Sequence, residues 1–219
     1  MTTELFAAVA AGDRATVERL VAADPALIQA RNETGVSPIV WARYTNQPEI
    51  ADLLADRAPS LDLFEAAATG RADRVRELLD RQSAKPDDVS PDGFTALHLA
   101  AFFGHPAVAA LLLERGAPVD CVATNDMSVV PLHSAVAGRH DAVVRLLVES
   151  GADVHARQEG GWTAIHAAAQ HGDEATVDLL IAHGADPNPC TEDGATAADL
   201  AAAGGYAELA ERLRTGAPE

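Results

Sequence analysis

Eight histidines are the first residues in this 219-residue chain whose chemistry invites a reading. Imidazole binds transition metals and shuttles protons near neutral pH. Three of them, His98, His133 and His166, stand 35 and 33 residues apart. A spacing that regular places each at one position of a repeated structural unit. Neighbouring helices pack about 8–10 Å apart, so the three imidazoles recur along a row. A zinc ion needs every ligand nitrogen within about 2.1 Å, and side chains from successive units cannot converge on one point in that way. No His-Glu-x-x-His or Cys-x-x-Cys pattern is present, and no metal or other cofactor is expected.

Other reactive patterns are equally sparse. Lys85, the single lysine, lies in no glycine-rich phosphate loop. Gly-x-Ser-x-Gly does not occur. The acidic residues are spread along exposed helical faces, without the sequence signature of a cleft that would raise one carboxyl pKa. Cys121 and Cys190 are too few for a disulfide framework and read as free thiols of a reducing cytoplasm. These observations point away from an enzyme.

Charge narrows the partners. Sixteen basic against thirty-three acidic residues leave a net charge of -17, which repels phosphate backbones and anionic lipid. No nucleic acid and no membrane is expected. Met1-Thr2-Thr3-Glu4 lacks the basic start and apolar run of a signal peptide, and no stretch is apolar enough to span a bilayer. Alanine fills about a fifth of the chain and aromatics only 4%, so the core must be built from closely packed helices. High Ala and Arg with one Lys match the usage of a GC-rich bacterial genome.

The elements that carry these residues repeat. Thr95-Ala-Leu-His-Leu-Ala-Ala is echoed by Val130-Pro-Leu-His-Ser-Ala-Val and by Thr163-Ala-Ile-His-Ala-Ala-Ala, with a degenerate copy at Thr196-Ala-Ala-Asp-Leu. Each opens a short Ala-rich helix. Gly104 or Gly172 then stops it at a position that tolerates positive φ. A second run follows with apolar residues at i, i+3, i+4 spacing, such as Val143, Leu146 and Leu147, and ends in Gly-Ala. The ten or so residues between units carry Asp-Gly or Gly-Gly and read as tight turns or hairpins. One such unit cannot bury its apolar face alone, so the units must stack.

The chain therefore resembles the ankyrin repeat family, on the Thr-Ala-Leu-His-Leu-Ala-Ala, Pro-Leu-His-Ser-Ala and Thr-Ala-Ile-His-Ala-Ala-Ala segments and the period of 33. The resemblance implies an all-α repeat solenoid of helix-turn-helix units with hairpin or turn fingers, in which the repeated histidine braces the fingers. The N-terminal half follows the pattern less closely. Val40 takes the histidine's place, Asn46 takes the place of the helix-stopping glycine, and Arg43 stands where a small residue is usual. From Val40 to Phe64 is only 24 residues, so one finger is expected to be missing or stunted near residues 58–62. Residues 1–219 read as one domain of seven units, approximately 1–30, 31–59, 60–90, 91–123, 124–156, 157–189 and 190–219, the first and last acting as caps.

The family's partner surface is formed by finger tips and by late positions of the first helices. Carried over by position, this assigns Asp92, Phe94, Met127, Val129, Glu159 and Trp162 to tips, with Val36 beside them. Tyr44, Phe102, Phe103, Gln170 and His171 fall late in first helices, and one of the two phenylalanines can instead turn inward. Asp126, Glu192 and Asp193 extend an acidic edge. Phe6, Trp41 and Phe64 read as core. Met127 and Ser128 replace the usual turn Asp and Gly beside a two-residue insertion, so that finger is expected to be irregular. The resulting expectation is a cytoplasmic, monomeric, non-enzymatic module that binds a basic or apolar protein or peptide. The alternatives are an inhibitor of a protein encoded nearby and a small-molecule binder between units.

Overall fold

The computed structural model describes residues 1–215; the last residues of the seventh unit, 216–219, lie outside it. The described residues form fourteen α-helices and no strand, arranged as seven successive pairs. These are α1 (Thr2–Ala10) with α2 (Arg14–Ala23), α3 (Pro38–Tyr44) with α4 (Pro48–Arg57), and α5 (Leu63–Ala68) with α6 (Ala72–Asp80). There follow α7 (Ala96–Phe102) with α8 (Pro106–Glu114), α9 (Pro131–Ala137) with α10 (Asp141–Glu149), α11 (Ala164–Gln170) with α12 (Glu174–Ala182), and α13 (Ala197–Ala203) with α14 (Ala207–Thr215). First helices contact one another in order from α1 to α13, and α6, α8, α10 and α12 form a parallel row. The fold is a helical repeat solenoid.

Small residues allow the close stacking. Ala100, Ala101, Ala135, Ala168, Ala169 and Ala201 are fully buried between first helices. The second helices contribute Val108, Leu112, Val143, Leu147, Val177 and Leu180. The helix-stopping glycines meet two needs at once. Gly104 has φ +76°, and a Cβ there would stand 2.4 Å from the His140 ring. At Gly138 the requirement is space alone: its backbone is helical, a Cβ would meet the Phe102 carbonyl at 2.3 Å, and Arg139 takes the left-handed conformation instead.

Fingers join the units. Most are closed by a hydrogen bond from a backbone N–H to the carbonyl four residues on, as in Ser90 to Phe94, Gln158 to Trp162 and Thr191 to Ala195. Isolated antiparallel bridges occur at Val89 with Thr95 and at Cys190 with Thr196. In the finger carrying the insertion, the closing bond runs from Ala123 to Val129, six residues on. The insertion thus enlarges the tip and leaves Met127 53% exposed, with Ser128 at φ 50°. Backbone bonds from Thr124 to Gly93, Glu159 to Met127 and Glu192 to Gly160 tie neighbouring fingers into a row.

Between Arg57 and Leu63 only five residues connect two units, and no finger forms. The neighbours close over the gap: a Cβ on Gly35 would lie 2.5 Å from the Pro91 side chain. Arg31 reaches Asp62 at 3.1 Å and Glu65 at 3.3 Å, while Arg71 pairs with Asp52 and Asp56. The Asp62 and Glu65 side chains bond each other's backbone N–H and cap α5. The apolar core divides here into one cluster drawn from residues 5–55 and a larger one from residues 36–213, with Trp41 and Leu61 packed against both. Phe6, Trp41 and Phe64, expected in the core, are instead half-buried; Phe6 and Trp41 meet edge to face at 6.5 Å.

Candidate functional site

The histidine row is a brace. His98, His133 and His166 each receive the N–H of their own helix cap on Nδ1, from Thr95, Val130 and Thr163 at 3.0–3.3 Å. Each places Nε2 3.0 Å from a carbonyl of the next finger, those of Val129, Ala156 and Pro189. An accepting Nδ1 leaves Nε2–H as the donor, which defines the neutral tautomer. Burial lowers the pKa of all three, that of His98 to about 4. Val40 replaces the histidine in the unit whose next finger is missing, so the brace is absent where it would have nothing to hold.

Above this brace the fingers and first helices enclose a groove of about 330 Å³. Tyr44 from α3, Phe94 and Met127 from two fingers, and Leu99 and Phe102 from α7 form its walls. Its floor is His98, His133, Ser134 and Ala137, and Gln158 stands at the rim. Phe102, 39% exposed, and half-buried Phe94 border the opening. Phe103 is the phenylalanine that turns inward. It is 8% exposed and packs against Tyr44 at 5.5 Å and Phe102 at 5.1 Å. Arg43 lies over the Phe103 ring at 4.8 Å and donates to the Phe103 carbonyl at 3.2 Å. Between them in the stack, α5 ends in the small, fully buried residues Ala66, Ala67 and Ala68.

Two of the residues expected to meet a partner bind each other. The Tyr44 hydroxyl donates to Asp92 Oδ2 at 2.8 Å. Burial first, and then the Asp92 charge, push the Tyr44 phenol far above its ordinary pKa, so it remains a donor. Asp92 also accepts from the Ser90 hydroxyl. Val129 and Val36 are buried, at 5% and 6% exposure, rather than presented at tips; Val129 contributes its carbonyl to the His98 brace and a side-chain edge to the groove. Glu159 is exposed beside the groove, its N–H bonded to the Met127 carbonyl. Asp126 is exposed next to Met127, and Glu192 and Asp193 lie exposed one finger further on.

Trp162, Gln170 and His171 lie outside this groove, on the following unit. Trp162 is half-buried and stacks on His166 at 5.8 Å, repeating the Phe94–His98 arrangement of the same separation. Gln170 is exposed, and His171 is half-buried. Sequence reasoning did not place Leu99, Ser134, Ala137 or Gln158 at the site. The first three stand at i+1, i+1 and i+4 from a brace histidine, and that helical spacing is the signal that identifies them. Among the described residues no group of three or more His, Cys, Asp or Glu could hold a metal, and no helix is long and apolar enough to cross a membrane.

Comparison with known proteins gives a consistent family. The family described as ankyrin repeats in three copies matches residues 63–158 and 132–217. A Saccharomyces cerevisiae protein named probable 26S proteasome regulatory subunit p28 is 28% identical over 164 residues, covering 68% of this chain and 71% of its own length. A Danio rerio protein, ankyrin repeat and SAM domain-containing protein 6, is 28% identical over 125 residues, which are 53% of this chain and 17% of that protein.

Proposed function

The chain belongs to the ankyrin repeat family, and we propose that it acts without catalysis, as a module that captures another protein in the groove between its fingers and first helices. Ankyrin repeats serve in general as protein-protein interaction modules. The observation that carries the specific surface is the assembly of Tyr44, Phe94, Phe102 and Met127 around one apolar opening, in a chain with only 4% aromatic residues. Exposed apolar side chains clustered in a concavity mark binding surfaces, and buried aromatic anchors dominate their energetics. The exposed acids Asp126 and Glu159 give the opening a polar rim. A relative named as a regulatory subunit is in keeping with work done through association. The two free thiols fit a reducing cytoplasm.

Photo-crosslinking tests this. A benzoylphenylalanine placed at position 102 or 127 should trap a protein partner in cells, while the same group at exposed Glu114 on α8 should not. Identical crosslinked species from all three positions would remove the groove from the reading.

A further inference from the structure

We propose that the groove takes one apolar side chain, of leucine to phenylalanine size, from a partner segment that carries lysine or arginine within roughly two or three residues of it. The inference rests on the binding function assigned above and specifies what is bound.

Size comes first. A volume of about 330 Å³ is at the low end of what holds a small ligand, enough for one large side chain with its backbone and too little for a whole helix face. The chemistry of the lining comes next. Both nitrogens of His98 and both of His133 are engaged in the brace. Burial keeps these imidazoles neutral at physiological pH. The Tyr44 hydroxyl is given to Asp92. The Ser134 hydroxyl and the Gln158 amide are the other side-chain polar groups on the wall. A polar or charged group entering this space would find only the Ser134 hydroxyl and the Gln158 amide to replace its water, whereas a hydrocarbon or phenyl group exchanges water for Phe94, Phe102, Leu99 and Met127.

The rim supplies the second half. Asp126 precedes Met127, and Glu159 follows Gln158; both carboxylates are exposed. Asp92 stands behind Tyr44, and Glu192 continues the edge. The two arginines nearest in sequence to lining residues are directed elsewhere. Arg43 is folded over Phe103 and bonded to its carbonyl, and Arg157 is bonded to the carbonyls of Gly161 and Cys190. An apolar anchor flanked by a cation on the finger side of the groove therefore meets the Asp126 and Glu159 carboxylates, which lie on adjacent tips joined by the Glu159 to Met127 backbone bond, and an anchor with a carboxylate there is repelled.

Selection from a random dodecapeptide display library tests the proposal, with three forms of the whole chain. These are the wild type, Ala137→Trp, which fills the groove from an exposed position, and Asp126→Asn/Glu159→Gln. Thermal melts establish that both variants fold. Selected peptides should share one Leu, Ile, Met or Phe with Lys or Arg close by. They should lose about tenfold or more in affinity on Ala137→Trp, as removal of a central anchor does. They should weaken severalfold on Asp126→Asn/Glu159→Gln and with added salt. Peptides that need the open groove yet carry neutral or acidic flanks, or that ignore the loss of the two acids, overturn the cationic apolar class while leaving the binding groove intact. Enriched peptides indifferent to Ala137→Trp overturn both. Absence of any enrichment overturns this proposal. So does a concentration-dependent dimer abolished by Ala137→Trp, because it seats a second copy in the groove.

Discussion

The hydroxyl of Tyr44 and the carboxylate of Asp92 meet at 2.8 Å across 48 residues of chain. They come from units separated by the one that lacks a finger. A partly buried bond from a neutral donor to a carboxylate contributes about 1.5–3 kcal/mol. Tyr44→Phe should lower stability by an amount in this range. Asp92→Asn should lower it less after Tyr44→Phe than in the wild type. Urea unfolding of the two single variants and the double variant measures the coupling; a coupling of zero would deny that the contact bridges the gap.

Phe102 and Phe103 are neighbours with opposite duties. Phe103→Ala should cost about 3–5 kcal/mol, the range for a buried phenylalanine. Phe102→Ala, at an exposed groove position, should stay within about 0.5 kcal/mol while weakening partner capture. Equal destabilisation by the two substitutions would reverse their assignment.

Acid should loosen the stack at the brace. Unfolded histidines titrate near pH 6.5, whereas burial holds folded His98 near a pKa of about 4. Between these values the unfolded chain binds more protons than the folded one, so stability is complete above about pH 6.5 and is lost as pH falls toward 4. His98 alone accounts for about 3 kcal/mol over that window, and His133 and His166 act in the same direction. The urea midpoint followed from pH 7.5 to 4 measures the slope. His98→Gln should lower the midpoint at pH 7 and flatten the slope.

Two glycines separate backbone conformation from space. Gly104 and Gly151 both have positive φ, but a Cβ meets the His140 ring at 2.4 Å in the first and nothing within 4 Å in the second. Gly151→Ala should cost about 1–2 kcal/mol, and Gly104→Ala distinctly more. Comparable costs from thermal melts would show that His140 moves aside freely.

Much of the fold was legible because each unit repeats its own instructions. The capping position with His three residues on, filled by Thr95, Val130 and Thr163, the alanine face and the closing Gly-Ala recur every 33 to 35 residues, and the deficit between Val40 and Phe64 located the missing finger. The groove was legible only in part. Position alone singled out Tyr44, Phe94, Phe102 and Met127. Whether neighbouring residues face in or out turned on a rotation of less than half a helical turn, which a short Ala-rich pattern does not specify for Phe102 and Phe103. The Tyr44–Asp92 bond was not legible, because it depends on how far a shortened unit lets its neighbours approach. The same holds for Arg43, whose bulk is accommodated by a ring two units away.

The division of the apolar core at the five-residue link bears on how the molecule yields to force. In a stack, tension passes from unit to unit through nearest-neighbour interfaces, and rupture begins where the fewest apolar groups are shared. Pulled from its ends, this chain would part at the seam between α4 and α5, where Val36 and Val40 join the larger cluster, Trp41 and Leu61 pack against both, and polar contacts such as Tyr44–Asp92 and Arg31–Asp62 span the gap. The two pieces would each retain a hydrophobic interior, and the groove would lose the wall supplied by Tyr44 before any of its own helices came apart.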